Sequence, residues 1–330
     1  MKPLTGLHIV EFEGLGPGPL CGRILAGFGA RVTLVIRPGP AVVAGLLGGG
    51  AARPLAEGKT ELALNLKDPA DRQRALELLA QADGLIEGNR PGVMERLGLG
   101  PEQCAAVNPR LVYGRMTGWG QEGPLAQAAG HDLNYVALSG LLSLAAPGAQ
   151  LPAFPPTLGD GAGALGLAFG IVSGILQARS TGKGCVVDAA ITDVMSMLGG
   201  IAQWIADGGG LGGPKPSPFH DSPFYDVYRC ADGACITVGA LEPQFYALLL
   251  EKLGLHDVDP HSQYDASTWP ALKARFAALF ASQTRSYWCS LMEGSDACFA
   301  PVLTLAEAAR HPHNIARVAS LALAPRFKSL

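Results

Sequence analysis

Three groups able to move a proton stand where glycine or a helix start would leave them open to a substrate. His131 lies in Gly130-His131-Asp132, directly before an apolar run over residues 133–142. It therefore reads as the residue at a helix N-terminus, beside backbone N–H groups with no partner inside the helix. Such an end favours neutral imidazole and can stabilise a developing oxyanion, which suits a base working beside a carbonyl. A simple cap supplied by His131 or Asp132 accounts for the same residues. Asp160, in Gly159-Asp160-Gly161, is flanked by residues that permit close approach and precedes a long apolar element that would raise its pKa. Its alternative role is the N-cap of that element. Glu242 precedes Pro243 after an apolar strand, the pattern of a helix start, and taken alone it reads as a capping carboxylate.

Other chemical signatures are missing. No metal-ligand spacing, no G-x-S-x-G and no P-loop occurs, so no metal site is expected. The glycine-rich turn Gly14-Leu15-Gly16-Pro17-Gly18-Pro19 is not G-x-G-x-x-G, and its two prolines remove donors that a pyrophosphate would use. An NAD site is therefore disfavoured. Seven cysteines at 21, 104, 185, 230, 235, 289 and 298 form no C-x-x-C pair, which fits a reduced, cytoplasmic setting.

The elements that must position these groups follow from periodicity. Residues 7–12, the glycine turn, 20–30 and 32–36 read as strand, turn, helix and strand. A helix over 68–82 with Asp68-Pro69 at its start, a strand over 84–87, short helices up to Arg96 and after Pro101, and a strand over 111–116 continue the alternation. Strands alternating with helices imply a parallel, doubly wound sheet. Past a glycine- and proline-rich stretch, Ala231-Asp232-Gly233-Ala234 between β-rich runs reads as a hairpin. Helices over 242–253, 269–282 and 305–311, with a strand over 298–303, complete a smaller α+β unit. The expected organisation is a large domain over 1–207, a linker over 208–222, a small α+β domain over 223–304 and a return segment over 305–330.

Composition agrees with a folded, well-buried protein. Of 330 residues 48% are hydrophobic and 16% charged, which argues against disorder. The 25 basic and 28 acidic residues give a net charge of −3 with no basic run, so nucleic acid is not an expected partner. No secretory signal is expected at the N-terminus. The uncharged stretch 161–178 approaches spanning length, but its glycines, and the lack of a basic flank, favour a buried core helix over membrane insertion. Gly166, Gly170 and Gly174 at spacing four would let another helix come close.

Several stretches together resemble a known family, the α-methylacyl-CoA racemases within the class III CoA-transferase superfamily. They include Gly16-Pro17-Gly18-Pro19, Ile86-Glu87-Gly88, Arg90-Pro91-Gly92-Val93-Met94-Glu95-Arg96, Arg115-Met116-Thr117-Gly118-Trp119-Gly120-Gln121 and Gly130-His131-Asp132-Leu133-Asn134-Tyr135. Val186-Val187-Asp188-Ala189-Ala190, Pro223-Phe224-Tyr225, Val238-Gly239-Ala240-Leu241-Glu242-Pro243-Gln244-Phe245-Tyr246 and His311-Pro312-His313-Asn314 extend the match over nearly the whole chain.

The resemblance implies an interlocked homodimer of subunits with a Rossmann-like large domain and a small domain. By motif position, His131 and Asp160 match the two catalytic acid/bases on opposite sides of a substrate α-carbon. Glu242 matches the small-domain carboxylate that supports the histidine, and the backbone N–H of Asp132 is the expected donor to the enolate oxygen. Arg37 and Arg96 match coenzyme A-contacting arginines, Leu15, Gly16 and Pro17 the turn along the pantetheine arm, and Tyr135 and Cys298 pocket positions. The implied reaction interconverts the R and S epimers of 2-methylacyl-CoA thioesters without a separate cofactor. Two alternatives stay open: a CoA-transferase with Asp160 as nucleophile, and an inactive CoA-ester-binding homologue. The sequence also departs from the family. Pro156-Thr157-Leu158-Gly159-Asp160-Gly161 lacks the usual asparagine and aromatic, residues 53–59 are less basic than usual, and the C-terminal extension beyond Arg326 is short.

Overall fold

The computed structural model describes residues 2–39, 54–145 and 154–317. Two compact units divide the chain at Gly199 and Gly200.

The first unit alternates strand and helix as periodicity suggests. Its elements are β1 (His8–Phe12), α1 (Pro17–Gly27), β2 (Arg31–Ile36), β3 (Lys59–Ala63), α2 (Pro69–Leu79), β4 (Gly84–Glu87), α3 (Val93–Arg96) and α4 (Pro101–Val107). Then follow β5 (Val112–Thr117), α5 (Asp132–Leu138), α6 (Leu158–Thr181), β6 (Val186–Ala190) and α7 (Ile191–Leu198). The strands form one six-stranded sheet in the order β3-β2-β1-β4-β5-β6, and every pairing is parallel. Chain direction across the sheet therefore reverses between β1 and β4, and the loops after these strands leave toward opposite faces. In open α/β sheets the resulting crevice, at the carboxyl ends of the strands, is where ligands bind.

Each sheet face has its own core. Ile9 and Val32 pack with Cys21, Ile24 and Leu25 of α1 and with Leu167, Ile171 and Ile175 of α6. Val10, Phe12 and Leu85 pack on the other face with Leu79 of α2 and Cys104 of α4. Asp68 caps α2 as expected, accepting from the N–H groups of Ala70 and Asp71 at 2.8 and 3.2 Å.

Helix α6 is the one described helix long and apolar enough to cross a membrane by length and composition. Here it covers β5 and β6 with half of its apolar window buried. Its glycines serve that packing, and only partly in the way their spacing suggests. A Cβ on Gly166 would meet Val194 of α7 at 2.5 Å, but one on Gly170 would meet Val187 of β6 at 2.5 Å and one on Gly174 would meet Val112 of β5 at 2.8 Å. One of the three faces a helix; the other two let α6 lie close on strands.

The second unit starts with α8 (Gly200–Asp207) and runs through β7 (Tyr225–Arg229), β8 (Cys235–Gly239), α9 (Pro243–Lys252), α10 (Trp269–Phe280), α11 (Arg285–Met292), β9 (Phe299–Pro301), α12 (Leu305–Ala308) and α13 (Pro312–Arg317). Helix α8 thus groups with this unit, whereas the sequence-based boundary falls after it. The β7–β8 hairpin forms as expected, with Arg229 opposite Cys235, and β9 adds antiparallel to β8. Helix α11 is absent from the sequence-based element list; Thr284 caps it, accepting from Tyr287 N–H at 3.3 Å. Phe224, Phe276, Phe280, Tyr246 and Trp269 dominate the core. Residues 208–222 carry packing of their own: Ser222 is fully buried and its hydroxyl donates to Pro218 O. The expected return segment is described only to Arg317; residues 318–330 lie outside the described residues.

Candidate active site

The groups singled out in the first unit gather at the carboxyl ends of the strands. The turn after β1 carries Leu15, Gly16 and Pro17. Gly16 adopts φ 67°, a left-handed conformation that glycine takes without strain. A Cβ there would lie 2.9 Å from Asp160 Oδ2, so glycine leaves the space into which the carboxyl reaches. Leu15 beside it is half exposed. Pro17 and Pro19 occupy the first turn of α1, and with their N–H groups missing, the donor-rich cradle of a dinucleotide site is not built.

Asp160 is not a helix cap. Helix α6 begins at Leu158, so Asp160 stands in its first turn, and the apolar and glycine residues before it continue the helix toward the N-terminus. Its backbone N–H donates to Asp132 Oδ2 at 2.8 Å. The Asp132 carboxylate therefore caps the neighbouring helix α6 and ties its start to α5. Thr157, just before α6, sits at φ 67°, a conformation that strains a β-branched residue.

His131 stands at the N-cap position of α5 and is exposed. Its backbone N–H donates to Asn134 Oδ1 at 3.0 Å, so Asn134 closes the helix end in a capping box with His131. The segment before His131 is fixed by Tyr135, whose hydroxyl donates to Gly130 O. The Tyr135 ring is 9% exposed and meets Trp119 edge to face, with centroids 4.7 Å apart. Gly118 and Gly130 admit that ring: a Cβ on them would come within 2.0 and 2.8 Å of it. The Gly118-Trp119-Gly120 loop is held by Thr192 N–H on Gly118 O at 3.2 Å and by Gln121 N–H on Asp188 Oδ2 at 2.9 Å.

Electrostatics set the protonation of this cluster. Burial raises the Asp160 pKa, the neighbouring Asp132 carboxylate raises it further, and His131 partly opposes both. Asp160 is thus poised to hold a proton at pH values where an exposed aspartate has lost it. Asp132→Asn keeps an oxygen for the Asp160 N–H but removes the repelling charge. We expect this variant to fold and to move the pH limb that needs protonated Asp160 downward; a limb left in place in a pH–rate profile would exclude Asp132 as a cause.

Beneath the crevice, Glu87 at the end of β4 accepts from Asn89 N–H at 2.7 Å and shapes the turn carrying Arg90. Arg115 of β5 lies 3.6 Å from Glu87 and also pairs with Glu95 of α3. Burial pushes the Glu87 carboxyl up to about 7 from 4.5. The native chain therefore holds a proton that the unfolded chain has already released, and this contribution is full below about pH 4.5 and lost as pH rises through about 7. Its ceiling is about 3 kcal/mol. Accordingly Tm should rise between pH 8 and pH 5.5, and Glu87→Gln should reduce that gain; an identical gain in the variant would refute the assignment.

Arg37 follows β2 and is exposed, its backbone N–H donating to Glu13 Oε2 at 3.0 Å. Arg96 ends α3, exposed, with Nη1 3.1 Å from where a Gly92 Cβ would stand. Both lie on segments at the carboxyl end of the sheet. Arg90, in the same turn, acts electrostatically on Tyr135. Sequence reasoning quoted Arg90 without giving it a role, and its position directly after a parallel strand was the available signal.

Glu242 and Cys298 belong to the second unit. Glu242 holds the N-cap position of α9 but makes no side-chain cap hydrogen bond, so its carboxylate is not used by the helix. Cys298 takes φ 51° and its carbonyl accepts from Gly239 N–H at 2.9 Å. Burial first, then Glu242, raises its thiol pKa, which suits a lining group and not a nucleophile. Among the described residues, no group of three or more His, Cys, Asp or Glu side chains could hold a metal ion.

A parallel doubly wound sheet with an imidazole and a raised-pKa carboxyl at its carboxyl edge, followed in the chain by a small α+β unit, defines a two-unit α/β protein. The chain belongs to CoA-transferase family III, whose model matches residues 4–323. It is 42% identical over 316 residues to the α-methylacyl-CoA racemase of Mus musculus, covering 94% of this chain and 80% of that protein. The Homo sapiens protein of the same name is also 42% identical, over 322 residues, with the same coverage. The crystal structure of Rv3272 from M. tuberculosis matches with a TM-score of 0.79 at 27% identity, covering 96% of this chain and 87% of that one.

Proposed function

We propose that this chain interconverts the R and S epimers of 2-methylacyl-CoA thioesters. The observation that carries the reading is the His131–Asp160 pair: an exposed imidazole at the start of α5, and a half-buried carboxyl whose pKa is raised by burial and by Asp132. A thioester polarises its α-carbon, so neutral His131 takes the proton from the S epimer and leaves an enolate. Protonated Asp160 returns a proton on the far face to give R; the reverse reaction exchanges the roles. The enolate oxygen is met by the Asp132 N–H, which as the first helical residue of α5 has no partner within that helix. The acidity comes from the thioester itself, so the reading needs no cofactor beyond coenzyme A. Arg37 and Arg96 meet its phosphates, Leu15, Gly16 and Pro17 flank its pantetheine arm, and Tyr135 and Cys298 border the acyl space.

The working form in this reading is an interlocked homodimer, with Glu242 of the partner subunit supporting His131. Support comes from the apolar residues left exposed on the first unit: Leu165, Phe169 and Leu176 on one face of α6, with Met197 and Leu198 on α7. Spacings of four and seven place the three α6 residues together, and so large an uncovered apolar patch marks a contact surface. Seven free thiols fit a reducing compartment such as the cytoplasm.

The family name favours a second reading, CoA transfer. There the Asp160 carboxylate would attack the thioester carbonyl, forming a mixed anhydride and expelling CoA thiolate. A raised Asp160 pKa aids proton delivery and works against attack by its carboxylate, so the direction of the shift supports epimerisation. A single epimer of a 2-methylacyl-CoA, incubated in deuterated solvent without acceptor acid, should yield both epimers with deuterium at the α-carbon. No exchange, together with CoA transfer to an added carboxylic acid, would establish the transferase instead.

A further inference from the structure

Lys59 opens β3, in the segment that is less basic than usual for the family, yet its side chain and that of Glu11 are both 0% exposed. Lys59 pairs in register with Val32 and Val32 with Ile9, so its side chain runs across β2 toward β1 beneath α1. Its ammonium donates to Glu11 Oε1 at 2.8 Å, to Glu11 Oε2 at 2.6 Å and to Pro19 O at 2.8 Å. An ammonium has three donors, and all three are taken. This lysine has nothing left to offer a phosphate. Gly22 makes the arrangement possible, because a Cβ there would lie 1.7 Å from Glu11 Oε2.

A buried ion pair is weak evidence for stability, since apolar replacements of similar volume often do as well. What this pair fixes is the first turn of α1. Pro19 is three residues past Gly16, and Gly16 O accepts from Leu20 N–H at 3.1 Å. Gly16 in turn forms the surface on which Asp160 Oδ2 rests. The chain of contact runs from Lys59 through the Pro19 carbonyl and the Gly16 turn to the Asp160 carboxyl.

We infer that the Lys59–Glu11 pair is an anchor for the Gly16–Pro19 turn, and that Lys59 is a positioning residue for proton transfer by Asp160. The catalytic half of this statement rests on the racemase reading; the anchoring half does not.

The test uses the full chain with Glu11→Gln/Lys59→Met, and Glu11→Leu/Lys59→Met as a second replacement that leaves no buried charge. Both are expected to fold with Tm within a few degrees of wild type. Amide hydrogen exchange at Leu20 and Cys21 should accelerate about tenfold or more, while kcat for α-proton exchange falls about tenfold or more and KM for the thioester stays within about twofold. Glu11→Gln alone keeps the Lys59–Pro19 contact and should lose less. Wild-type amide protection in a folded double variant overturns the anchor, and lost protection with unchanged kcat overturns the positioning role. Failure of both double variants to fold also counts against the inference, because it makes the pair a requirement of the fold. If the wild-type protein shows no α-proton exchange, the racemase reading fails, and the amide measurements still decide whether the pair anchors the turn.

Discussion

His131→Ala is expected to lower epimer interconversion by about 10²–10⁴-fold, the range that a positioned general base contributes. The loss should fall on kcat with little change in KM, because the imidazole acts on the transferring proton and the coenzyme is held elsewhere. Since Asn134 Oδ1 and the Tyr135 hydroxyl hold the backbone at this helix end, the variant should unfold within a few degrees of the wild-type temperature. Matching kinetics with a matching melting curve would remove His131 from the mechanism. Asp160→Asn should produce a loss of similar size with the fold intact, because the contact that secures α6 uses the Asp160 backbone N–H and not its carboxyl.

Gly16→Ala carries the second large effect. Its φ of 67° disfavours any L side chain, and the added methyl would stand 2.9 Å from Asp160 Oδ2. Either the turn or the carboxyl must move. Displacement of a reacting group by about 1 Å costs on the order of 10²-fold in rate, so kcat should drop by about that factor. A variant folded and fully active would show that Asp160 does not work from this position. Gly39, with φ 109° and open space around its Cβ direction, provides a contrast of similar backbone strain without a catalytic neighbour.

The inner strands β1, β2, β4 and β5 were legible in the sequence because they are largely buried and read as apolar runs bounded by turns. The edge strands β3 and β6 are mostly exposed or partly buried, carry no such run and were not visible as strands. The helix over 68–82 announced itself through Asp68-Pro69, and the hairpin through Asp232-Gly233. The start of α6 was misplaced because Leu158 and Gly159 give no stop signal, and the actual boundary residue, Thr157, takes a conformation that its type does not suggest. The proposed acid/base pair was visible as residue types beside glycine, and family resemblance joined two capping candidates into one candidate site. Its internal bonding was not visible. That the Asp132 side chain caps α6 depends on two helix ends, 28 residues apart in sequence, meeting in space. The Lys59–Glu11 contact spans 48 residues and two strand spacings, and nothing local marks Lys59 as buried.

The two-base account is tested most directly by offering each pure epimer of a 2-methylacyl-CoA separately to His131→Ala and to Asp160→Asn in deuterated solvent, and reading α-deuterium by mass spectrometry. Each variant retains one base, so His131→Ala should exchange the α-proton of the R epimer alone and Asp160→Asn that of the S epimer alone, neither producing the opposite epimer. Exchange of the same epimer by both variants would contradict the placement of the two groups on opposite faces of one carbon.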